Sequence, residues 1–362
     1  MHVTRLALTN YRNYRTLGIE LNPGLNVFTG QNAQGKTNLL EAVYFCSIGR
    51  SMRTPRDKEL ILWNEERARI KAEATGRGGK QRVEIIIDKR DNKRVAIGGA
   101  QVTRLGELMG VITTVLFSPS EIAIIKDGPG ERRRFMDIAI CQLSKAYFYL
   151  LSRYNKTLAQ RNRLLKSGAT SDTLDIWDLQ LAKEGAKVIK TRRGFLSRIE
   201  QKAKEAHLYL TEGKEELVLC YEGVEGQSEE EIYDNLYNAL KKDRERDLYH
   251  GFTHSGAQTD DFSALVGDID VRKYGSQGQQ RTVALSLKLA QLELFYEETG
   301  EYPVLLLDDV FSELDETRQK RLVERIEGHQ TIVTCTHIED RLAPYFEKAK
   351  FFKVVGGTIT EE

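Results

Sequence analysis

Proline is scarce, 6 in 362 residues, which argues against a linker-rich or disordered chain. The four cysteines, Cys46, Cys141, Cys220 and Cys335, stand far apart with no paired spacing. That excludes a readable disulfide framework or zinc knuckle and fits a reducing cytoplasm, the expected compartment. Nowhere do about 18 apolar residues run together, and the opening MHVTRLALTNYRNYR has no uninterrupted apolar stretch. Neither a membrane partner nor an export signal is expected. Charge of one sign is also missing overall, with 54 Lys and Arg against 53 Asp and Glu. What is present, 40% apolar and 30% charged residues, is the composition of a soluble globular protein. At about 150 residues per domain, the length predicts two domains or one large domain with an insertion.

The balanced total hides an asymmetry. Residues 131–204 carry 17 Lys and Arg against 7 Asp and Glu, a local net charge of +10. Arg153, Lys156, Arg161, Arg163 and Lys166 are interleaved with Tyr154 and Leu158, and Lys183, Lys187, Lys190, Arg192 and Arg193 follow. A solvated helix face is the competing reading, but the run is the footprint expected of a polyphosphate such as DNA. No base-reading motif accompanies it, so contacts are expected mostly to phosphates.

Three runs with strand character, HVTRLALTN, RTLGIELN and GLNVFTG, open the chain, and the third leads through a glycine-rich loop into the helical LLEAVYFCSIG. ARIKAEATG and QRVEIIIDKR, separated by Gly76, Gly78 and Gly79, predict a hairpin. From 131 to 212 the pattern is helical, broken at Ser167 to Ser171, which predicts a helical hairpin. Ser228 and Glu231 predict a capping box opening another helix. Strand character returns in DFSALVGDIDVRKYG, YPVLLLDDV and QTIVTCTH, with a helix in QQRTVALSLKLAQLELFYEE, a helix after Ser312 and a terminal FFKVVGGTIT hairpin. Strands and helices alternating at both ends predict an α/β domain interrupted by a helical lobe. The outline is 1–120 for the first part of the α/β lobe, 121–255 for a basic helical insertion, 256–300 for a glycine-rich segment with its helix, and 301–362 for the second part.

Gly30-Gln31-Asn32-Ala33-Gln34-Gly35-Lys36-Thr37 fits the phosphate-loop pattern, after a strand and before a helix. Its glycines let backbone N–H groups turn toward a triphosphate, Lys36 reaches the β and γ phosphates, and the Thr37 hydroxyl goes to Mg²⁺. The buried run YPVLLLDD ends in two carboxylates. Asp308 is the expected Mg²⁺ ligand and Asp309 the group that orients or deprotonates the attacking water, with a structural cap as its alternative. Tyr274-Gly275-Ser276-Gln277-Gly278-Gln279-Gln280-Arg281, just before a helix, reads as a second anion site or a simple N-cap.

These three motifs, in this order, resemble the ABC-type ATPases, whose signature in one subunit closes on the γ-phosphate held by another. Ser276, Gly278 and Gln279 match the signature core, while Gln277 and Gly275 stand where its first glycine and leucine usually lie. The resemblance implies that Ser312-Glu313-Leu314-Asp315 is the loop after the paired carboxylates and His337 the switch histidine. LTNYRNY, GQNAQGKTNLLEAVY, GRSMRT, FSPSEIAIIKDGPGERRRFMD, SQGQQR and LLLDDVFSELD narrow it, from residue 3 to about 340, to the RecF family of SMC-like ATPase heads. That resemblance implies ATP and Mg²⁺ as cofactors, nucleotide contacts from Arg12 and Asn13, and slow hydrolysis because Asp309 replaces the usual glutamate. The family's Q-loop falls near Phe117 to Glu121, where no glutamine stands. It further implies an ATP-dependent homodimer that clamps single-stranded, double-stranded and gapped DNA, with RecR and RecO as partners in loading RecA, in recombinational repair and the SOS response. A transport ATPase subunit is the alternative, disfavoured by the long separation of Thr37 from Ser276. An SMC-like arm would need a far longer helical insert, and an ATPase-linked nuclease a further acidic domain.

Overall fold

A computed structural model of the chain describes residues 1–168, 170–338 and 340–362. The strands and helices follow in chain order as β1 (His2–Tyr11), β2 (Tyr14–Glu20), β3 (Leu25–Thr29), α1 (Lys36–Ile48), β4 (Arg67–Gly76), β5 (Gly79–Asp88), β6 (Arg94–Ile97), β7 (Ala100–Val102) and β8 (Thr114–Phe117). Next come α2 (Ala123–Lys126), α3 (Pro129–Leu143), α4 (Lys145–Lys166), α5 (Ser171–Leu210), β9 (Leu217–Glu222), α6 (Glu229–Lys242) and α7 (Arg244–His250). The chain closes with β10 (Asp261–Val266), β11 (Ile269–Asp270), α8 (Val271–Tyr274), α9 (Gln277–Thr299), β12 (Val304–Asp308), α10 (Glu316–Ile326), β13 (Thr331–Cys335), β14 (Lys350–Val355) and β15 (Thr358–Glu361).

Two compact units divide these elements. The first takes Met1–Glu121, Tyr209–Glu212 and Leu285–Glu362, and the second Ile122–Leu208 and Gly213–Ala284. Residues 256–284, set apart in the sequence outline as the start of a separate segment, therefore belong to the second unit.

The first unit holds two six-stranded sheets. One is antiparallel, in the order β2-β1-β4-β5-β6-β7. Its strands alternate as one-sided sheets do, β4 burying Ala68, Ile70, Ala72 and Ala74 while Arg67 and Arg69 point outward. The other runs β15-β14-β3-β13-β12-β8, with β14, β3, β13, β12 and β8 parallel and β15 antiparallel at the edge. Strands buried on both faces need continuous apolar runs, and every residue of β8, β12 and β13 is buried. Phe28 and Phe352, paired across β3 and β14, stack with ring centroids 4.6 Å apart. β13 lies between β3 and β12. The strand feeding the phosphate loop and the strand ending in Asp308 are therefore next-but-one neighbours, and both finish at one edge of the sheet.

The second unit is built on α3, α4 and α5 with a three-stranded antiparallel sheet, β11-β10-β9. The helical hairpin predicted around residues 167–171 is present, α4 ending at Lys166 and α5 beginning at Ser171; Ala169 lies outside the described residues. A second break was not predicted. Ser144 caps α4, its hydroxyl accepting from the Tyr147 N–H at 3.2 Å, and separates it from α3. The structure also adds β9 and turns Val271–Tyr274 into helix rather than strand. Ser228 accepts from the Glu231 N–H at 3.1 Å as expected, while the Glu231 carboxylate takes the Gln227 N–H, one residue before the cap.

Candidate functional site

The phosphate loop leaves β3 and enters α1 through backbone that few residues adopt. Gly30, Ala33 and Gly35 have φ of 149°, 65° and 115°. A Cβ at Gly30 would meet the Val354 carbonyl oxygen at 2.4 Å, so only glycine fits where β14 passes. Gln31, Asn32 and Ala33 are exposed, and Gly35 and Lys36 are buried. The Lys36 ammonium donates to the carbonyls of Gly30 and, at 2.9 Å, Gln31. Burial lowers its pKa, opposed chiefly by Asp309.

Thr37, one residue on, donates its hydroxyl to Asp308 Oδ1 at 2.8 Å. The same oxygen accepts from Thr334 Oγ1 at 2.7 Å, at the end of the intervening strand β13. Asp309 follows with φ of 51°, its N–H donating to the Thr334 carbonyl at 3.0 Å, and Ser312 Oγ donates to its carbonyl. Burial pushes the Asp309 carboxyl up, Lys36 opposing and Asp308 reinforcing. A partly exposed carboxylate with raised affinity for a proton, beside an ammonium, is suited to accepting one from water. His337, two residues past β13, is exposed and within 3.2 Å of Thr336 Oγ1.

Among the described residues no three His, Cys, Asp or Glu side chains gather as a metal site. The Thr37 hydroxyl at the start of α1 and the Asp308 carboxylate at the end of β12 instead fit a divalent ion that keeps waters and takes its other oxygens from phosphates, as Mg²⁺ does. In Phe117 to Glu121, where no glutamine stands, Glu121 forms an ion pair with Lys288.

Asn13 is bonded to the loop, whereas Arg12 is bonded to α1. Asn13 Nδ2 donates to the Gln34 carbonyl at 2.8 Å and its Oδ1 accepts from Asn38, so it braces the loop. Arg12 makes a bidentate pair with buried Glu41, both bonds 2.8 Å, and Glu41 also accepts from Ser51 Oγ at 2.5 Å. Sequence reasoning missed two other contributors. One is Thr334; the other is the β14–β15 turn, where the Gly356 N–H donates to Gln34 Oε1 at 2.6 Å and the Gly357 N–H to the Gln34 carbonyl at 3.2 Å. The GG pair predicted a hairpin turn but carried no sign of what it touches.

Ser276, Gly278 and Gln279 belong to the second unit. Ser276 Oγ accepts from the Gln279 N–H at 3.2 Å and Gln279 Oε1 from the Ser276 N–H at 3.0 Å, a reciprocal capping box at the start of α9. Ser276, Gln277 and Gly278 are exposed.

Among the cations assigned to DNA, two require correction. Arg161 is 0% exposed, held by Asp178 Oδ1 at 2.6 Å, Asp247 Oδ2 at 2.7 Å and Thr253 Oγ1 at 2.8 Å. Arg192 is buried against Asp137, Asp260 and the Ala257 carbonyl. Neither can reach a phosphate without breaking a buried ion pair. Arg193 is half-buried, its guanidinium donating to the Gly226 and Val224 carbonyls. Arg153, Lys156 and Arg163 are exposed on α4, as are Lys183, Lys187 and Lys190 on α5. Each trio follows helical spacing, which gives α4 and α5 one basic face apiece.

The family model for the RecF/RecN/SMC N-terminal domain matches residues 2–354. The DNA replication and repair protein RecF of Lachnoclostridium phytofermentans is 46% identical over 363 residues, covering 99% of each chain. The chain belongs to the RecF family of DNA replication and repair proteins. The RecF of Clostridium perfringens is 43% identical over 364 residues, again covering 99% of both. A solved structure of the recombination mediator protein RecF-ATPrS in the RecFOR pathway superposes with a TM-score of 0.92 at 36% identity, covering 99% of this chain and 98% of that one. An Smc head bound to the C-winged helix domain of ScpA shares the fold, with a TM-score of 0.60 at 16% identity over 100% of this chain and 97% of that chain. The α/β ATPase-head fold expected from the RecF-like motifs is thus shown.

Proposed function

We propose that the chain is an ATP-controlled DNA clamp of recombinational repair. The observation carrying this reading is the junction of Lys36, Thr37, Asp308 and Asp309 at one sheet edge, fitted to a nucleoside triphosphate and Mg²⁺. The N–H groups opening α1 and the Lys36 ammonium bind the phosphates, Thr37 and Asp308 hold the ion, and Asp309 takes the proton of the attacking water. Bound Mg²⁺ supplies charge neutralisation at the transferred phosphate. Asp309 is one methylene shorter than glutamate, so hydrolysis is slow, below about 1 s⁻¹, and works as a release switch stimulated by DNA.

The exposed Ser276 of one subunit completes the site of a second copy, and dimerisation places the basic faces of α4 and α5 around single-stranded or gapped duplex DNA. Support for a partner pathway comes from the RecFOR relative. RecR is the direct partner in this reading, RecO and RecA act in the same pathway, and the site of action is the cytoplasm during replication restart and the SOS response.

Fluorescence anisotropy of a labelled gapped duplex, with and without ATP and Mg²⁺ over a salt series, tests this. Binding that requires ATP, weakens with salt and fails in Lys36→Arg and Ser276→Arg is the expected result. ATP-independent binding would remove nucleotide as the switch; absence of binding would overturn the clamp.

A further inference from the structure

The last turn of α7 and the loop after it expose a run of aromatic rings that the nucleotide site does not use. Tyr249 is 86% exposed and Phe252 47%, and His250 between them is exposed. Their rings are contiguous, with Tyr249 to His250 at 5.0 Å, His250 to Phe252 at 5.9 Å and Phe252 to His254 at 4.2 Å between centroids.

This surface is built on a rigid base. Buried Arg161 grips both Asp247 and Thr253, one on each side of the aromatic turn. Asp247 Oδ1 accepts from the His254 N–H at 3.0 Å and lies 2.7 Å from its Nδ1, while the Thr253 N–H and hydroxyl both reach Asn162 Oδ1 on α4. The residues on either side of the exposed rings are thus held by a charged network.

Cations border the rings. Lys166 lies one turn after Asn162 on the same face of α4, and a Cβ built at Gly251 would come 3.1 Å from Lys166 Cγ. Arg163 is exposed beside it, and Arg246 is exposed one turn before His250. Glu245 is the one exposed carboxylate of α7, since Asp247 is buried. Exposed planar rings, two of them with polar edges, on an anchored turn flanked by cations match a nucleobase with its neighbouring phosphate better than an apolar protein surface.

We propose that Tyr249, His250 and Phe252 form a stacking platform for unpaired bases, with Lys166 and Arg163 holding the flanking phosphates, so that this face reads the single-stranded part of a gap. The platform rests on the DNA-binding reading above and deepens it by naming the residues that would hold unpaired bases.

The full chain with ATP and Mg²⁺ is tested on a gapped duplex carrying 2-aminopurine in the gap and on a blunt duplex. Tyr249→Ala with Phe252→Ala is expected to abolish the change in 2-aminopurine fluorescence and weaken gapped-DNA binding by about tenfold to a hundredfold. Blunt-duplex affinity and the thermal midpoint are expected to stay unchanged, and Tyr249→Trp to retain the fluorescence change. Equal losses on both DNAs, or unchanged binding to both, would overturn the platform, the latter leaving the rings to a protein partner. Failure of the wild type to bind either DNA would instead sink the clamp reading, and the platform with it.

Discussion

The hydroxyl of Thr37 donates to Asp308 Oδ1 across 2.8 Å, joining residues 271 positions apart in the chain. Thr334 donates to the same oxygen from β13, so two hydroxyls fix the direction of the carboxylate. Removing the hydroxyl while keeping its shape isolates this contact. Thr37→Val is expected to weaken Mg²⁺-dependent ATP binding by about tenfold or more, a hydrogen bond to a charged group being worth about 1.5–3 kcal/mol. Titration with and without EDTA checks it, the loss being confined to the Mg²⁺ arm.

Arg161 and Arg163 stand two residues apart on α4 with opposite fates. Arg161→Ala leaves buried Asp247 and Asp178 short of a cation, although Arg244 still reaches Asp178, and is expected to destabilise the second unit by about 3–5 kcal/mol. Arg163→Ala should leave stability alone and lower the salt slope of DNA binding by about one. Thermal unfolding and a salt titration of both variants separate the roles. A stable Arg161→Ala protein with a flattened slope would contradict the burial argument.

Gly356 and Gly357 share the β14–β15 turn but not its constraint. Both have positive φ, 54° and 80°, yet a Cβ at Gly357 would meet the Asn13 carbonyl oxygen at 2.3 Å whereas one at Gly356 meets nothing within 4 Å. Gly356→Ala therefore carries only the left-handed backbone cost of about 1 kcal/mol. Gly357→Ala must shift the turn off Gln34 and weaken ATP binding as well. Comparable ATP affinities in the two variants would show that the hairpin does not support the loop.

Asp260 carries a pH dependence. Its Oδ2 accepts from Tyr221 at 2.6 Å and Arg192 at 3.0 Å, its Oδ1 meets no donor, and burial pushes its pKa up to about 6 despite Arg192. Because the folded state holds this proton more tightly than the unfolded chain, the group favours folding below pH 4 and loses that advantage as pH rises through about 6. The stability difference between wild type and Asp260→Asn should fall from about pH 4 to about pH 7 and level off above that. A flat difference would mean that Arg192 and Tyr221 fully compensate the ionised form.

Local pattern made the core of the site legible. The phosphate loop announces itself because strand, glycine turn, lysine and helix are consecutive, and VLLLDD reads as a doubly buried strand ending in carboxylates because parallel strands need unbroken apolar runs. The basic faces were half legible. Tyr154, Thr157, Arg161 and Leu165 fall on one stripe of α4 and are all buried, so helical spacing alone places Arg161 on the inner face, apart from Arg153, Lys156 and Arg163. What spacing could not supply is the partner that makes such burial tolerable, since Asp247 lies 86 residues further on.

Only the tertiary structure decided the rest. Thr334 on Asp308, the Gly356-Gly357 turn on Gln34, and the aromatic turn locked over Arg161 each join segments with no shared local pattern. The sequence by itself determined the elements and the chemistry they carry, because periodicity and turn residues act within a few positions. Which groups meet was set by strand order and helix packing, because hydrogen bonds and ion pairs are satisfied across the fold and not along the chain.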